Sequence, residues 1–192
     1  LVVYDEVMTN TSKQSETMNI VLMLGTARPG CQSAAVVAAL ADHITQGSAT
    51  CTRVDVADVV STPATMRPGK ETSDSALTAW ADTVATADAV VMVVPEYNHS
   101  FPGEWKLAID ALSAEVCTGK PVYVVSVSAG SFAGVRVVEQ MLPVLHTLGF
   151  VVGQPKLHVA KVHEQFTQAG DITDETFAKR LREFVAAITT TV

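Results

Sequence analysis

Apolar residues along this chain fall into two patterns. Unbroken runs, Ile20 to Leu24, Ala89 to Val94 and Val122 to Val127, alternate with longer stretches whose apolar positions recur at helical spacing. An unbroken run bounded by turn residues reads as a strand buried on both faces, because a strand with one wet face would alternate. Cys51 to Val56 fits a further strand, and Phe150 to Val152 with Leu157 to Val159 fits a fifth that a Gly-Gln-Pro sequence interrupts. The helical stretches are Ala34 to Ile44, ending before Gly47, then Asp74 to Ala87, Pro102 to Ala114, Val135 to Leu148 with an internal Pro143, and Thr173 to Thr189. Ser73 is the expected cap of the second, and Thr173 and Thr176 are the candidate caps of the last. Five strands alternating with five helices predict a doubly wound α/β sheet.

Composition supports one such domain. The chain has 192 residues, of which 48% are hydrophobic, 6% aromatic and 17% charged. Ala and Val dominate, as expected where helices cover both faces of a sheet. The polar residues 1 to 17 read as a flexible leader, with a single domain over residues 18 to 192, and Asp58 to Ser73 is too long for a simple connection.

A net charge of −7 without a Lys/Arg run argues against nucleic acid as a partner. No apolar run is long enough for a bilayer. The three cysteines, Cys31, Cys51 and Cys117, are widely spaced and show no metal-ligand pattern, so no metal is expected and a reducing cytoplasm fits better than a disulfide framework.

The chemistry should lie at the strand tips. Loops at Gly25 to Ser33, Pro95 to Gly103 and Ser126 to Gly134 follow the first, third and fourth strands. In a sheet of order 2-1-3-4-5 those tips lie side by side at the switch point, where one ligand touches all three. The first loop suits a monophosphate, with Thr26 and Ser33 hydroxyls, the Arg28 fork and Gly30 before a helix N-terminus. It is neither a dinucleotide GxGxxG fingerprint nor a Walker loop.

GTARPG, PEYNHSFPGEWKLAID and GVRVVEQMLPVLHTLG resemble the signature segments of the NADPH-dependent FMN reductase family, which includes quinone, azo-dye and chromate reductases. The likeness spans Asn19 to Leu148 and is most specific at PEYNHS followed by Pro-Gly. It implies a flavodoxin-like three-layer α/β/α sandwich around a five-stranded parallel sheet of order 2-1-3-4-5. It also implies FMN phosphate at Thr26, Arg28, Cys31 and Ser33, flavin-ring and ribityl contacts from Pro95, Glu96, Tyr97, Asn98 and His99, and further ring contacts from Ser126, Ser128, Ala129 and Gly130. Cys31, Ser33 and the SVSAG sequence depart from the residues common in relatives, and Leu107 stands where many carry Asn.

The resemblance implies electron transfer from NADPH or NADH through FMN to a quinone, azo compound or similar small acceptor in a ping-pong cycle. The flavin supplies that chemistry, so no catalytic acid-base pair is required. A flavodoxin-type electron carrier or a flavin-binding module is the alternative. Relatives form dimers or tetramers, and the apolar residues of Pro102 to Ala114 offer an interface. Among single residues, Glu96 reads as a turn-stabilising acceptor before a catalytic carboxylate, and His99 as a polar contact before an acid. Trp105 and Phe101 fit a flavin lid, with burial or a subunit contact the alternatives for Trp105; Lys106 and Asp110 fit a surface ion pair, and Arg136 solvent, a partner subunit or a phosphate.

Overall fold

The computed structural model describes residues 17–60 and 74–190. Residues 1 to 16 of the expected leader, and Ser73 with most of its preceding loop, lie outside the described residues. Parallel strands β1 (Asn19–Leu24), β2 (Thr50–Asp55), β3 (Ala89–Pro95), β4 (Pro121–Val127) and β5 (Val151–Val152) stand in the order β2-β1-β3-β4-β5, as the family resemblance implies. A sixth piece, β6 (Leu157–Val159), also pairs with β4. β5 runs beside Pro121 and Val122, and β6 beside Val125 to Val127, so the two pieces share one lane and form the expected broken strand. At the start of the interruption the backbone passes close to a ring: a Cβ at Gly153 would stand 2.3 Å from Tyr123 Cε1.

Helices α1 (Ser33–Gln46), α2 (Val56–Val59), α3 (Ser75–Ala85), α4 (Gly103–Asp110), α5 (Ala114–Cys117), α6 (Val135–Thr147), α7 (Val162–Gln165) and α8 (Glu175–Thr190) cover the sheet. Ile20, Leu22 and Leu24 face one cluster with α1 and α8; Val21 and Met23 face the other with α3, α4 and α6. This division explains the unbroken apolar runs. Every residue of β3 is buried, because alternate side chains serve different cores. β2, at the edge, is only partly covered.

Several boundaries differ from the sequence reading. β2 ends at Asp55, whose carboxylate caps the single turn α2. α4 stops at Asp110, and Ser113 starts the separate turn α5 by accepting from Val116 N–H. Asp74 caps α3 by accepting from the N–H groups of Ala76 and Leu77. Asp174, rather than Thr173 or Thr176, starts α8: its Oδ1 accepts from the N–H groups of Thr176 and Phe177 at 2.7 and 3.2 Å. All three residues are cap formers, and the choice falls to the one whose carboxylate reaches both orphan donors. Asp174→Ala is expected to cost about 1 kcal/mol in urea unfolding, whereas Thr173→Ala should cost less than half of that.

Candidate functional site

The tips of β1, β3 and β4 adjoin because β3 lies between the other two. Their loops surround a cleft of about 400 Å³, within the usual range for a small-molecule site. Loop one contributes Arg28, Gly30, Cys31, Gln32 and Ser33 to the wall; loop two gives Pro95, Glu96 and Tyr97; loop three gives Val127, Ser128 and Ala129. Val162 of α7 completes it.

Loop one forms the anion-suited end. Gly25 N–H donates to Val93 carbonyl at 2.8 Å, tying the loop's base to β3. Gly30 turns the chain at a φ of +67°. Gln32, at the N-cap of α1, makes no side-chain capping bond, and the first turn holds no acidic residue. None of the hydrogen bonds among the described residues uses the N–H of Gln32 or Ser33. Donors and dipole therefore remain available to an anion, with the exposed Arg28 beside them. Ser33 is 2% exposed.

Thr26 stands behind this wall. It is 1% exposed, and its hydroxyl lies 3.0 Å from the Tyr97 hydroxyl, donates to Glu104 Oε1 at 3.1 Å and accepts from Arg28 N–H at 3.3 Å. A hydroxyl has one proton and two lone pairs, and these three contacts use them all. Thr26 organises the loop rather than facing the cleft. Its partner Glu104 has no signature in the sequence, because nothing local marks an acceptor for so distant a residue.

Loop two is a tight turn. Tyr97 and Ser100 exchange backbone hydrogen bonds at 2.8 and 2.9 Å, and Asn98 and His99 take the positive φ values of +49° and +67° that such a turn requires. Both side-chain positions are exposed and stand outside the cleft wall. Gln140 of α6 donates to His99 carbonyl at 2.8 Å and accepts from the Ser100 hydroxyl. Glu96 is the polar anchor: Arg136 reaches its Oε1 with Nε at 2.8 Å and Nη2 at 2.7 Å. Arg136 thus meets Glu96 while staying partly exposed, and its guanidinium also lies 5.1 Å from the Phe132 ring. Glu96 thus serves as an acceptor for a residue of α6, and its other carboxylate oxygen is buried without a partner.

Loop three is fastened to β6 and α7. Ser128 N–H donates to Val159 carbonyl, Val162 N–H to Ser128 carbonyl and Lys161 N–H to Gly130 carbonyl, at 2.9 to 3.2 Å. Ser126 is fully buried beneath the loop. Its hydroxyl donates to Ala133 carbonyl at 2.7 Å and so receives a hydrogen from His158 Nδ1 at 2.8 Å. Burial, followed by Arg180 and Lys156, lowers the His158 pKa. Ser126 and Gly130 therefore shape the loop, while Ser128 and Ala129 line the cleft. Val162 lies outside the three loops read from the sequence, and α7 brings it to the cleft.

Trp105 is fully buried, with its indole N–H unpartnered, and contacts Phe101 at 4.7 Å between ring centroids. It packs in the core and is no lid. Ala108 and Ile109 are also buried within the chain, which removes these apolar residues of α4 from any subunit surface. Lys106 and Asp110 form the expected ion pair. Burial raises the pKa of Cys51, and pushes Cys117 up to about 12 against the opposing pull of Lys120. Cys31 alone of the cysteines lines the cleft. Among the described residues no helix is long and apolar enough to cross a membrane.

Comparison with known proteins agrees with this geometry. The family described as NADPH-dependent FMN reductase matches residues 18–164. A quinone reductase of Escherichia coli (strain K12) is 29% identical over 166 residues, covering 84% of this chain and 88% of its own. An NAD(P)H-dependent FMN reductase of Saccharomyces cerevisiae is 38% identical over 86 residues, 45% of this chain and 44% of its own. Among solved structures, the flavoenzyme NAD(P)H:(acceptor) oxidoreductase FerB from Paracoccus denitrificans aligns with a TM-score of 0.74 at 24% identity, covering 91% of this chain and 96% of that one. That last likeness carries the flavodoxin-like fold; the family match over most of the chain carries more. This chain belongs to the NADPH-dependent FMN reductase family of flavin-dependent oxidoreductases.

Proposed function

We propose that this protein holds FMN in the three-loop cleft and uses it to pass electrons from NADPH or NADH to a quinone, azo compound or similar small acceptor, in a ping-pong cycle. One observation supports this reading above the others. The uncapped N-terminus of α1, with Arg28 beside it and no acid in its first turn, shares a single cleft with the Pro95 to Tyr97 wall. An anion-binding end and a second wall of Pro95, Glu96 and Tyr97 in one cavity suit a phosphate joined to a ring system. Arg28, Cys31 and Ser33 would hold the phosphate end, and Pro95, Glu96, Tyr97, Ser128 and Ala129 the ring and its chain. FMN supplies the redox chemistry when bound; the protein's part is to position it and to limit its contact with water.

Purified protein titrated with FMN and with riboflavin, followed by mixing with NADPH or NADH and a quinone, tests the reading. Tighter binding of FMN than of riboflavin, with oxidation of the nicotinamide, is expected. Arg28→Ala should weaken FMN binding about tenfold and leave riboflavin binding nearly unchanged, since it removes one charge-assisted phosphate contact. FMN binding without nicotinamide oxidation would instead indicate an electron carrier. Failure to bind FMN at all would end the proposal.

A further inference from the structure

Glu104 lies in the first turn of α4, outside the cleft wall, yet one of its oxygens gathers two donors from loop one. Its Oε1 accepts from Ala27 N–H at 3.0 Å and from the Thr26 hydroxyl at 3.1 Å. A carboxylate only accepts, so the direction of every hydrogen in the adjoining network follows from it. The Thr26 proton points to Glu104. The lone pairs of Thr26 are then left for Arg28 N–H and for the Tyr97 hydroxyl, which must donate. A proton-ordered chain runs from Tyr97 through Thr26 to Glu104 and joins loop two, loop one and α4.

We infer that Glu104 is a positioning residue: its acceptor oxygen locks the phosphate-side loop to α4 and orients the Tyr97 phenol. Two consequences follow. Arg28 has its backbone N–H turned inward to Thr26, which fixes the segment leading to Gly30 and the α1 N-terminus. Tyr97 has spent its proton on Thr26, so any ligand group that meets its oxygen must donate a hydrogen bond. The phenol is thereby an acceptor toward the cleft and not a proton source. This assignment rests on the proposed FMN site for its readout, but the network itself stands without a ligand.

The test compares FMN and riboflavin binding, by fluorescence titration, in the unaltered protein, Glu104→Gln and Glu104→Ala, with thermal melts to verify folding. Glu104→Ala is expected to lower FMN affinity about tenfold and riboflavin affinity less than about threefold, because the loop that it frees carries the phosphate end. Glu104→Gln keeps an oxygen for both donors and should stay within about threefold of the unaltered protein for both ligands. Thr26→Val, which removes the bridging hydroxyl at similar volume, should follow Glu104→Ala and decides the matter if that variant does not fold. If the unaltered protein prefers FMN to riboflavin and Glu104→Ala and Thr26→Val retain that preference, the inference falls while the FMN site stands. Equal losses in Glu104→Gln and Glu104→Ala would also overturn it, since charge rather than acceptor geometry would be responsible. No preference for FMN in the unaltered protein would reject the FMN-site reading and this inference together.

Discussion

Gly25→Ala is expected to destabilise the fold by about 2 kcal/mol, lowering the melting temperature by roughly 4–8 °C. The added Cβ would stand 2.9 Å from Val94 Cγ2, 3.0 Å from the Val93 carbonyl oxygen and 3.2 Å from Trp105 Cδ1. None of these can yield easily: the carbonyl belongs to the central strand, and Val94 and Trp105 are fully buried. The chain must shift at the root of loop one, where Gly25 N–H meets that same carbonyl. Ligand affinity should therefore fall with stability. Gly25→Val should cost about 3 kcal/mol or more. Gly103, whose added Cβ meets nothing within 4 Å, is the internal control: Gly103→Ala should leave the melting temperature within about 2 °C.

Removing Arg136 should have a comparable effect through electrostatics. Its partner Glu96 has a side chain only 5% exposed, and Oε2 of that carboxylate is already unpartnered. Arg136→Ala would leave the buried carboxylate without its cation, which costs about 3–5 kcal/mol in fully buried pairs. Arg136 itself is 41% exposed, so water screens the pair and part of the interaction is lost already. A loss of about 2 kcal/mol is the expected result in urea unfolding. Adding Glu96→Gln to that variant should recover about 1 kcal/mol, because it removes the charge left unpaired. Independent, additive losses in this double-mutant cycle would mean that the two side chains do not act as a pair.

The sequence made much of the sheet legible for a physical reason. Strands buried on both faces must be apolar throughout, and Ile20 to Leu24, Ala89 to Val94 and Val122 to Val127 announce themselves in that way. The break after Val152 was equally visible, though not the ring of Tyr123 that lies against the backbone of Gly153. Capping was harder to read where adjacent residues could all cap, as at Thr173 to Thr176. The site divides along the same line. Its three loops could be found because they follow strand tips, and eight of the thirteen expected residues do line the cleft: Arg28, Cys31, Ser33, Pro95, Glu96, Tyr97, Ser128 and Ala129. Thr26 and Ser126 were hydroxyls at the right tips whose bonding capacity is spent elsewhere. Glu104, 78 positions from Thr26, could not be connected to it by any local pattern.

The turn at Asn98 and His99 bears on the speed of binding. Left-handed backbone is unfavourable for residues with side chains by about 1–2 kcal/mol each. Here the reciprocal Tyr97 and Ser100 bonds and the clamp from Gln140 hold it in place. That conformational cost belongs to folding, not to the arrival of a ligand. An incoming molecule meets a wall already shaped, loses little entropy of the protein on entry, and need wait for no rearrangement of this turn. Association should be a single concentration-dependent phase, with differences in affinity among ligands expressed mainly in how slowly they leave.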